Sequence, residues 1–243
     1  MRTFGFSKRC ATEILRDPLN FAFGLGFPVV LLLLLSSMQK NLPVDLFAID
    51  SLSPGVTVFG LSFITLFSAT LISRDRESAF LQRLYTTPMR ALDFILGYMI
   101  PLIPIAIAQA VVCYLVAIAL GLSVSVNIVY AVLAIIPISV LYVGLGLLCG
   151  SVLNVKQVGG VCGALLTNLS AWLSGVWFEL SVMGEGFSRA ARLLPFYHAV
   201  ELERALIGGD FSSVLGHIYP IIAYDAFVCA LAVLLFLRGM KKN

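Results

Sequence analysis

The stretch Ser73–Tyr98 has residues suited to ion pairing and docking rather than to catalysis. Its charged members are Arg74, Arg76, Arg83 and Arg90 beside Asp75, Glu77 and Asp93. The flanking runs, Gly55–Ile72 and Phe94–Ile136, contain no charged residue. Either this stretch presents a surface to a cytoplasmic partner, or its charges only enforce the membrane topology.

The middle of this stretch predicts a short amphipathic helix. Arg76 and Arg83 are seven residues apart and therefore share a face. The apolar stripe consists of Phe80, Leu81, Leu84 and Tyr85. Pro88 ends the helix because the residue before a proline disfavours helical backbone. A short helix joined rigidly to two spans can transmit a push, since packed helices move as units.

Asp225 is the one acidic residue deep in a predicted span. It lies roughly 13 Å into that span, close to the middle of a bilayer. Intramembrane carboxylates are costly and usually functional, which points to a cationic substrate or a proton. The alternative, which we favour slightly, is a structural carboxylate paired with a tyrosine, a serine or Gln109 on a neighbouring helix.

Motifs for catalysis, ATP binding or metal binding are missing from the sequence. It has no GxSxG, no HExxH, no paired aspartates in neighbouring spans and no GxxxxGK[ST] phosphate loop. His198 and His217 lack cysteine or carboxylate partners at ligand spacing, so structural roles are expected for both. The five cysteines form no CxxC or Cys/His pattern. We therefore expect neither an enzyme nor a cofactor in this chain.

Composition limits the chain to membrane proteins. Of its 243 residues 60% are apolar and only 12% are charged, against about a quarter charged in soluble chains. Apolar runs of about 20 residues predict transmembrane helices. The six predicted spans are Phe21–Met38, Gly55–Ser73, Leu92–Leu120, Ile128–Val152, Val158–Phe178 and Gly216–Leu237. Residues 1–243 are expected to form a single all-α membrane domain.

Basic residues set the predicted orientation. With both termini in the cytoplasm, twelve of the sixteen lysines and arginines fall in cytoplasmic segments and four fall outside. This excess follows the positive-inside pattern. The predicted location is the cell (inner or plasma) membrane, crossed several times.

The N-terminal segment, residues 1–17, predicts an amphipathic helix. Phe6, Cys10 and Ile14 recur every four residues on one face, and charged side chains occupy another. Such a helix is expected to lie in the membrane interface with its basic face toward lipid phosphates. A frayed cytoplasmic tail is the alternative.

Polar and aromatic residues of the second and fifth predicted spans are candidates for a substrate path. The set comprises Phe59, Phe63, Thr65, Phe67, Thr167 and Asn168, with Asp225 from the last span. Hydroxyls within spans mostly bond to their own helix. Packing against lipid is an equal expectation for each phenylalanine.

Small residues in two spans predict close helix packing. The fifth span opens with Gly159, Gly160, Gly163 and Ala164. This spacing permits contact within the chain or across a dimer, and we favour the dimer. Gly144, Gly146 and Gly150 of the fourth span are expected to pack inside the chain. The segment 179–212 predicts short helices, with Val200, Ala205 and Leu206 turned toward lipid.

Two segments, together with six spans and an N-terminal amphipathic helix, resemble the membrane subunit of ABC-2 type exporters. RESAFLQRLYTTPMR, residues 76–90, leads into LDFILGY and is similar to the family pattern RE-x-x-x-L-x-R-L-x-x-TP. The run Leu194-Pro195-Phe196-Tyr197-His198, with Arg204 and Gly208-Gly209 after it, resembles the family's LP-x-x-H…R…G segment. The resemblance covers essentially the whole chain. It is strongest to small drug- and antibiotic-export permeases.

This resemblance implies roles for several segments. Residues 1–17 would be an elbow helix, residues 74–90 a loop carrying a coupling helix, and residues 179–212 a partly re-entrant external segment. The coupling contacts would come from Arg76, Glu77, Phe80, Leu81, Arg83, Leu84, Tyr85 and Pro88. ATP and Mg²⁺ would bind to a separate ATP-binding subunit. A second copy of this permease, or a similar one, would complete the transporter in the lipid bilayer, with no nucleic acid involved.

The implied function is export of a hydrophobic or amphipathic substrate, such as a drug, an antibiotic or a lipid-like molecule. One alternative is a subunit of a polysaccharide or lipo-oligosaccharide exporter, because those permeases have similar topology. Another is a stand-alone secondary transporter or channel that uses Asp225. A membrane-embedded enzyme is the least expected class, since the required residue clusters are missing.

Overall fold

The described residues up to Val152 form five long or amphipathic α-helices. The computed structural model describes residues 2–18, 22–41, 47–78, 91–178 and 180–242, and no strand occurs among them. Helix α1 spans Arg2–Leu15, and α2 spans Phe27–Gln39 after a π-helical turn at Ala22–Gly26. The next helices are α3 (Ile49–Glu77), α4 (Ala91–Ala119) and α5 (Asn127–Val152).

The second half consists of shorter helices and one long C-terminal helix. A continuous helical run comprises α6 (Val155–Val158), a π-helical segment (Gly159–Leu166) and α7 (Thr167–Ser174). A 3-10 turn at Leu180–Met183 then leads to α8 (Glu185–Arg192), α9 (Pro195–Gly208) and α10 (Phe211–Lys242). Gly175, in the left-handed conformation with φ of 72°, ends α7.

Five helical segments in the described part are long and apolar enough to cross a membrane. They are Ala22–Gln39, Ile49–Glu77, Asp93–Ala119, Asn127–Val152 and Phe211–Leu235. Each matches one of the six predicted spans. The remaining predicted span, Val158–Phe178, is not among them, because its helical run ends at Ser174 and includes polar residues such as Asn168. The count of six spans therefore stays a prediction.

Helix α3 forms the centre of the bundle and packs most closely against α5. A Cβ atom at Gly150 of α5 would lie 2.6 Å from the carbonyl oxygen of Ala69, so only glycine permits this approach. Across the same contact, Thr65 Oγ1 donates to the carbonyl of Tyr142 at 2.8 Å. Gly146 meets α3 in the same way. The prediction that the glycines of this span pack inside the chain is confirmed.

Helix α1 packs against the first half of α4. Phe6, Cys10 and Ile14 are all buried, which confirms the predicted shared face. The Phe6 ring contacts the backbone of α4 at Gly97, where a side chain would collide with it. The face of α1 that carries these three residues is therefore covered by protein. The predicted contact of its basic face with lipid phosphates stays a prediction.

Helix α9 enters the bundle instead of lying on its surface. The ring of Phe196, at its first turn, is 6.0 Å from the ring of Tyr142, which lies midway along α5. At its last turn, the carbonyl of Ile207 accepts a hydrogen bond from Asn127, the first residue of α5. Val200 and Leu206 are buried among the helices. The expectation that these two side chains face lipid is therefore wrong.

Candidate functional site

The segment predicted to contact a partner is described only at its two ends. Residues 79–90 lie outside the described residues, and with them the predicted coupling residues Phe80, Leu81, Arg83, Leu84, Tyr85 and Pro88. The flanks of this segment are described, since α3 ends at Glu77 and α4 begins at Ala91. We call the contacts that hold these flanks the base cluster, formed by Arg9, Asp75, Arg76, Glu77 and Tyr98.

Asp75 joins three helices at the base cluster. Its carboxylate accepts two hydrogen bonds from the Arg9 guanidinium, at 2.8 Å to Oδ2 and 2.6 Å to Oδ1. Tyr98 of α4 donates a third through its hydroxyl, at 2.8 Å. The Asp75 side chain is 2% exposed. Bidentate arginine–carboxylate pairs are among the strongest hydrogen bonds in proteins, so α1 and α4 are both tied to the end of α3.

The surroundings of Asp75 hold its partners in fixed protonation states. The pKa of Arg9 is raised above its ordinary value, chiefly by the hydrogen bond to Asp75, so its charge is permanent. Burial raises the pKa of the neighbouring Cys10 thiol to about 12. Cys10 is therefore a neutral packing residue and not a nucleophile. The Phe6 ring packs edge-on against Tyr98, with 4.9 Å between ring centroids, and shields the pair.

Arg76 and Glu77 fasten the end of α3 to the turn between α5 and α6. The Arg76 guanidinium donates to the carbonyl oxygens of Ser151, Val152 and Leu153. Such carbonyls at a helix C-terminus have no partner within their own helix. Glu77 accepts a hydrogen bond of 3.0 Å from the backbone N–H of Val155, where the next helical run begins. The positive Arg76 lies at the C-terminus of α5 and the negative Glu77 at the N-terminus of α6. The helix dipole favours a charge of that sign at each position.

The base cluster connects the described flanks of residues 79–90, the end of α3 and the first half of α4, to other helices. Asp75 connects them to α1 and α4, and the next two residues connect them to α5 and α6. Packed helices shift between discrete arrangements and do not deform continuously. The described end of α3 is therefore bonded to α1, α4, α5 and α6.

The predicted substrate-path residues of α3 are all buried, but they face different neighbours. Phe59 packs against Trp177 with 5.3 Å between ring centroids, and Phe63 packs against Phe27 of α2 at 5.5 Å. Phe67 lies over the backbone of Gly24, and Thr65 bonds to α5. Within this chain these side chains fill the core around α3.

The predicted path residues of the fifth span separate onto two faces. Thr167 is buried and donates to the carbonyl of Cys162 at 2.9 Å, five residues earlier, as the wide π-helix requires. Asn168 is exposed and bonds only to its own helix, through Ala164. Among the predicted dimer residues, Gly159, Gly160 and Ala164 are also exposed, whereas Gly163 faces Leu66 of α3. The exposed face is available to another molecule.

Asp225 lies half-buried on α10. Its buried Oδ1 atom has no hydrogen-bond partner among the described residues. Gln109, one of its predicted partners, instead donates to the carbonyl of Thr57 on α3, at 3.1 Å. Among the described residues, these contacts do not connect Asp225 to the base cluster. Its role is therefore considered separately.

A buried acid on α9 was not singled out by the sequence. Glu203 is completely buried, and Tyr114 of α4 donates a hydrogen bond to its Oε2 atom. The adjacent Arg204 donates to the carbonyl oxygens of Ser51 and Gly175 and pairs with Glu201 at 2.9 Å. These contacts lock α9 to α3, α4 and α7. Consecutive residues of a helix point to different faces. This difference between Glu203 and Arg204 was the only signal in the sequence that one of them could be buried.

His198 and His217 come together although they lack partners in the sequence. Their Nδ1 atoms are 3.1 Å apart across the contact between α9 and α10. In the described part of the chain, no group of three or more histidine, cysteine, aspartate or glutamate side chains is arranged to hold a metal ion.

A family model described as ABC-2 type transporter matches residues 3–207, which include the base cluster and α9 up to Ile207. A comparison with curated proteins finds no match.

Proposed function

The chain belongs to the ABC-2 type transporter family, and from this we propose that it is the permease subunit of an ATP-driven exporter. Proteins of this family are membrane components of ABC transporters and are not themselves catalytic. The energy for transport would come from ATP hydrolysis on a separate subunit, because this sequence has no phosphate-binding loop.

The base cluster is the observation that supports this proposal most strongly. A permease driven by another subunit needs a contact segment whose displacement reaches the spans. Residues 79–90 are flanked by Asp75, Arg76 and Glu77, and these three bond to α1, α4, α5 and α6. The coupling contacts proposed for Arg83, Leu84 and Tyr85 would thus move a connected set of helices.

Arg76 and Glu77 have a different part in the proposal from the residues that follow them. Both side chains bond within the chain, so we assign them to the support of the coupling segment. Contact with the ATP-binding subunit would fall to the apolar stripe and Arg83. We likewise propose that α1, as the elbow helix, stabilises the end of α3 through the bond between Arg9 and Asp75.

A second copy of the permease, or a similar one, would complete the transporter. The exposed face carrying Gly159, Gly160, Ala164 and Asn168 supports this part of the proposal, since an exposed asparagine in a span is costly against lipid. In the proposed orientation, both termini lie on the cytoplasmic side of the cell membrane. This orientation requires the helical run from Val155 to Ser174 to be the sixth span.

The proposed substrate is hydrophobic or amphipathic, such as a drug, an antibiotic or a lipid-like molecule. The aromatic side chains near Phe59 and Trp177 suit such a molecule at the centre of the assembly. A glycan exporter would need a longer polar route, and Asn168 is the one strongly polar side chain exposed on the π-helical segment and α7.

The proposal is tested by purifying this chain from its native host in mild detergent and identifying the bound proteins by mass spectrometry. We expect a stoichiometric subunit that carries a GxxxxGK[ST] sequence. Recovery of the chain alone under several gentle conditions would contradict the proposal. It would favour a stand-alone transporter or channel.

A further inference from the structure

The contact between His198 and His217 has geometry that goes beyond simple packing. Their ring centroids are 5.3 Å apart, their planes are inclined by 48°, and Nδ1 faces Nδ1 at 3.1 Å. The chain has only these two histidines, and both lie in this contact. Gly209, with φ of 75°, turns α9 back onto α10 and brings residues 19 positions apart side by side.

The two rings face each other through their Nδ1 atoms. Two nitrogens at 3.1 Å share one proton, and a second positive charge at this distance is unfavourable. The pKa of His198 is lowered, first by burial and then by His217. Neutral imidazole is the form of histidine that binds metal ions.

We propose that His198 and His217 form a binding site for a divalent transition-metal ion, such as Zn²⁺ or Ni²⁺, between α9 and α10. Metal–nitrogen bonds of about 2.0–2.1 Å place two coordinated imidazole nitrogens about 3.0–3.4 Å apart. The observed separation of 3.1 Å lies within this range. The ring that donates across this contact carries its proton on Nδ1, so binding requires its tautomer with the proton on Nε2. Both Nδ1 lone pairs can then face a common ion.

The chemistry of the ligands determines the class of metal. Imidazole favours Zn²⁺, Ni²⁺ and Cu²⁺, whereas Mg²⁺ and Ca²⁺ prefer oxygen ligands. Because the described residues supply no third ligand from histidine, cysteine, aspartate or glutamate, water fills the other positions. Binding is therefore weaker than at a closed structural zinc site, and the ion remains exchangeable.

Two positive charges and one negative charge surround the histidine pair, so the net charge of these groups is +1. Tyr197 packs against both imidazole rings, and the Arg192 guanidinium lies 5.9 Å from the centre of the Tyr197 ring. Glu201 lies one helical turn beyond His198 and is paired with Arg204 at 2.9 Å. The two arginines disfavour a cation and the carboxylate favours it, so the histidine nitrogens decide the affinity.

A bound ion would connect α9 directly to α10. Protons compete for the same nitrogens, so affinity falls at acidic pH. If the proposed transport function holds, the ion would also hinder any movement of α9 relative to α10. The binding site itself does not depend on that function.

The test is a ZnCl₂ titration of the full chain, purified in detergent with its co-purifying subunits and a tag free of histidine. Calorimetry at neutral pH is expected to show one Zn²⁺ per chain, lost in both His198→Ala and His217→Ala. Tyr219→Ala, an exposed change on the same helix, is the matched control and should bind as wild type does. Lack of Zn²⁺ binding by the wild type, or equal binding by the double histidine variant, would overturn the proposal.

A second measurement does not rely on the variants folding. Cu²⁺ added to the wild-type protein is expected to give an electron paramagnetic resonance spectrum with two coupled nitrogen ligands. A spectrum with sulfur or oxygen ligands alone would assign the ion to the cysteines or the surface, and would exclude the histidine pair.

Discussion

Arg9 of α1 binds Asp75 of α3 through two hydrogen bonds of 2.8 and 2.6 Å, although 66 residues separate them in the chain. Asp75 lies near the start of residues 74–90, the loop that carries the proposed coupling helix. The pairing makes the N-terminal helix part of the support for that segment. A displacement of the segment must therefore break this pair or carry α1 with it.

Asp75→Asn is expected to loosen α1. The asparagine keeps one oxygen acceptor but loses the charge that binds Arg9. Hydrogen bonds to charged groups contribute about 1.5–3 kcal/mol, so a loss of this size in the free energy of unfolding is expected. Hydrogen–deuterium exchange should become faster across Arg2–Leu15, and the melting temperature should fall.

Glu13→Gln is the matched control for this prediction. Glu13 also pairs with Arg9, at 2.9 Å, but its side chain is 33% exposed. Exposed ion pairs contribute about 0.2–1 kcal/mol, so the exchange rate should change little. If Asp75→Asn and Glu13→Gln behave alike, Asp75 does not anchor α1.

Arg76→Lys is expected to free the end of α5. A lysine keeps the charge, but its single ammonium group cannot reach three carbonyl oxygens as the planar guanidinium does. Amide exchange should become faster at Leu153–Val155, while α1 is unaffected. Glu77→Gln retains the oxygen that accepts from Val155 and serves as the control. Equal exchange in Arg76→Lys and wild type would contradict the proposed clamp.

Glu203 is expected to make stability depend on pH. Burial raises the pKa of Glu203, so the folded state favours its protonated form. A raised pKa contributes stability that is fully present below the unfolded-state pKa of about 4.3. That stability is lost as the pH rises through the raised value. The melting temperature of the wild type in detergent should thus decrease from acidic to mildly alkaline pH.

Glu203→Gln should remove most of this pH dependence. The amide keeps the size of the side chain and an oxygen that can accept from Tyr114. Glu201→Gln is the control, because Glu201 is part of a partly exposed pair with Arg204 and shows no comparable burial. If the melting temperature of Glu203→Gln changes with pH as steeply as that of the wild type, another group causes the pH dependence.

Asp225→Asn separates the ATP-driven exporter from a proton- or cation-coupled transporter. The buried Oδ1 atom of Asp225 has no described partner. Replacing the carboxylate by a neutral amide should therefore not harm folding. We expect ATP-dependent transport by the variant to match the wild type across the pH range. Transport that disappears while the assembly stays intact would make Asp225 a cation or proton site.

Local patterns in the sequence predicted the elements that depend on near neighbours. The face of Phe6, Cys10 and Ile14 followed from spacing within one helix, and the glycines of α5 followed from their small size. Apolar runs predicted six spans, and five of them match long apolar helices in the described residues, although α3 begins earlier and ends later than expected. Its extra last turn is stable because Arg76 and Glu77 find partners on α5 and α6.

Contacts between distant parts of the chain could not be predicted in this way. The sequence offered no reason to pair Arg9 with Asp75, or His198 with His217, because each pair depends on how helices pack. Val200 was expected to face lipid as part of a partly re-entrant external segment. Helix α9 instead enters the bundle, and Glu203 bonds to Tyr114 there.

The most direct test of the coupling role is to measure the ATP-binding subunit retained by Leu84→Ala/Tyr85→Ala during mild purification, together with ATP-dependent transport. Leu96→Ala, an exposed change on α4, is the control. We predict that the double variant inserts at normal abundance but loses the bound subunit and transport, while the control keeps both. Normal transport and normal binding by the double variant would contradict the assignment of residues 79–90 as the coupling segment.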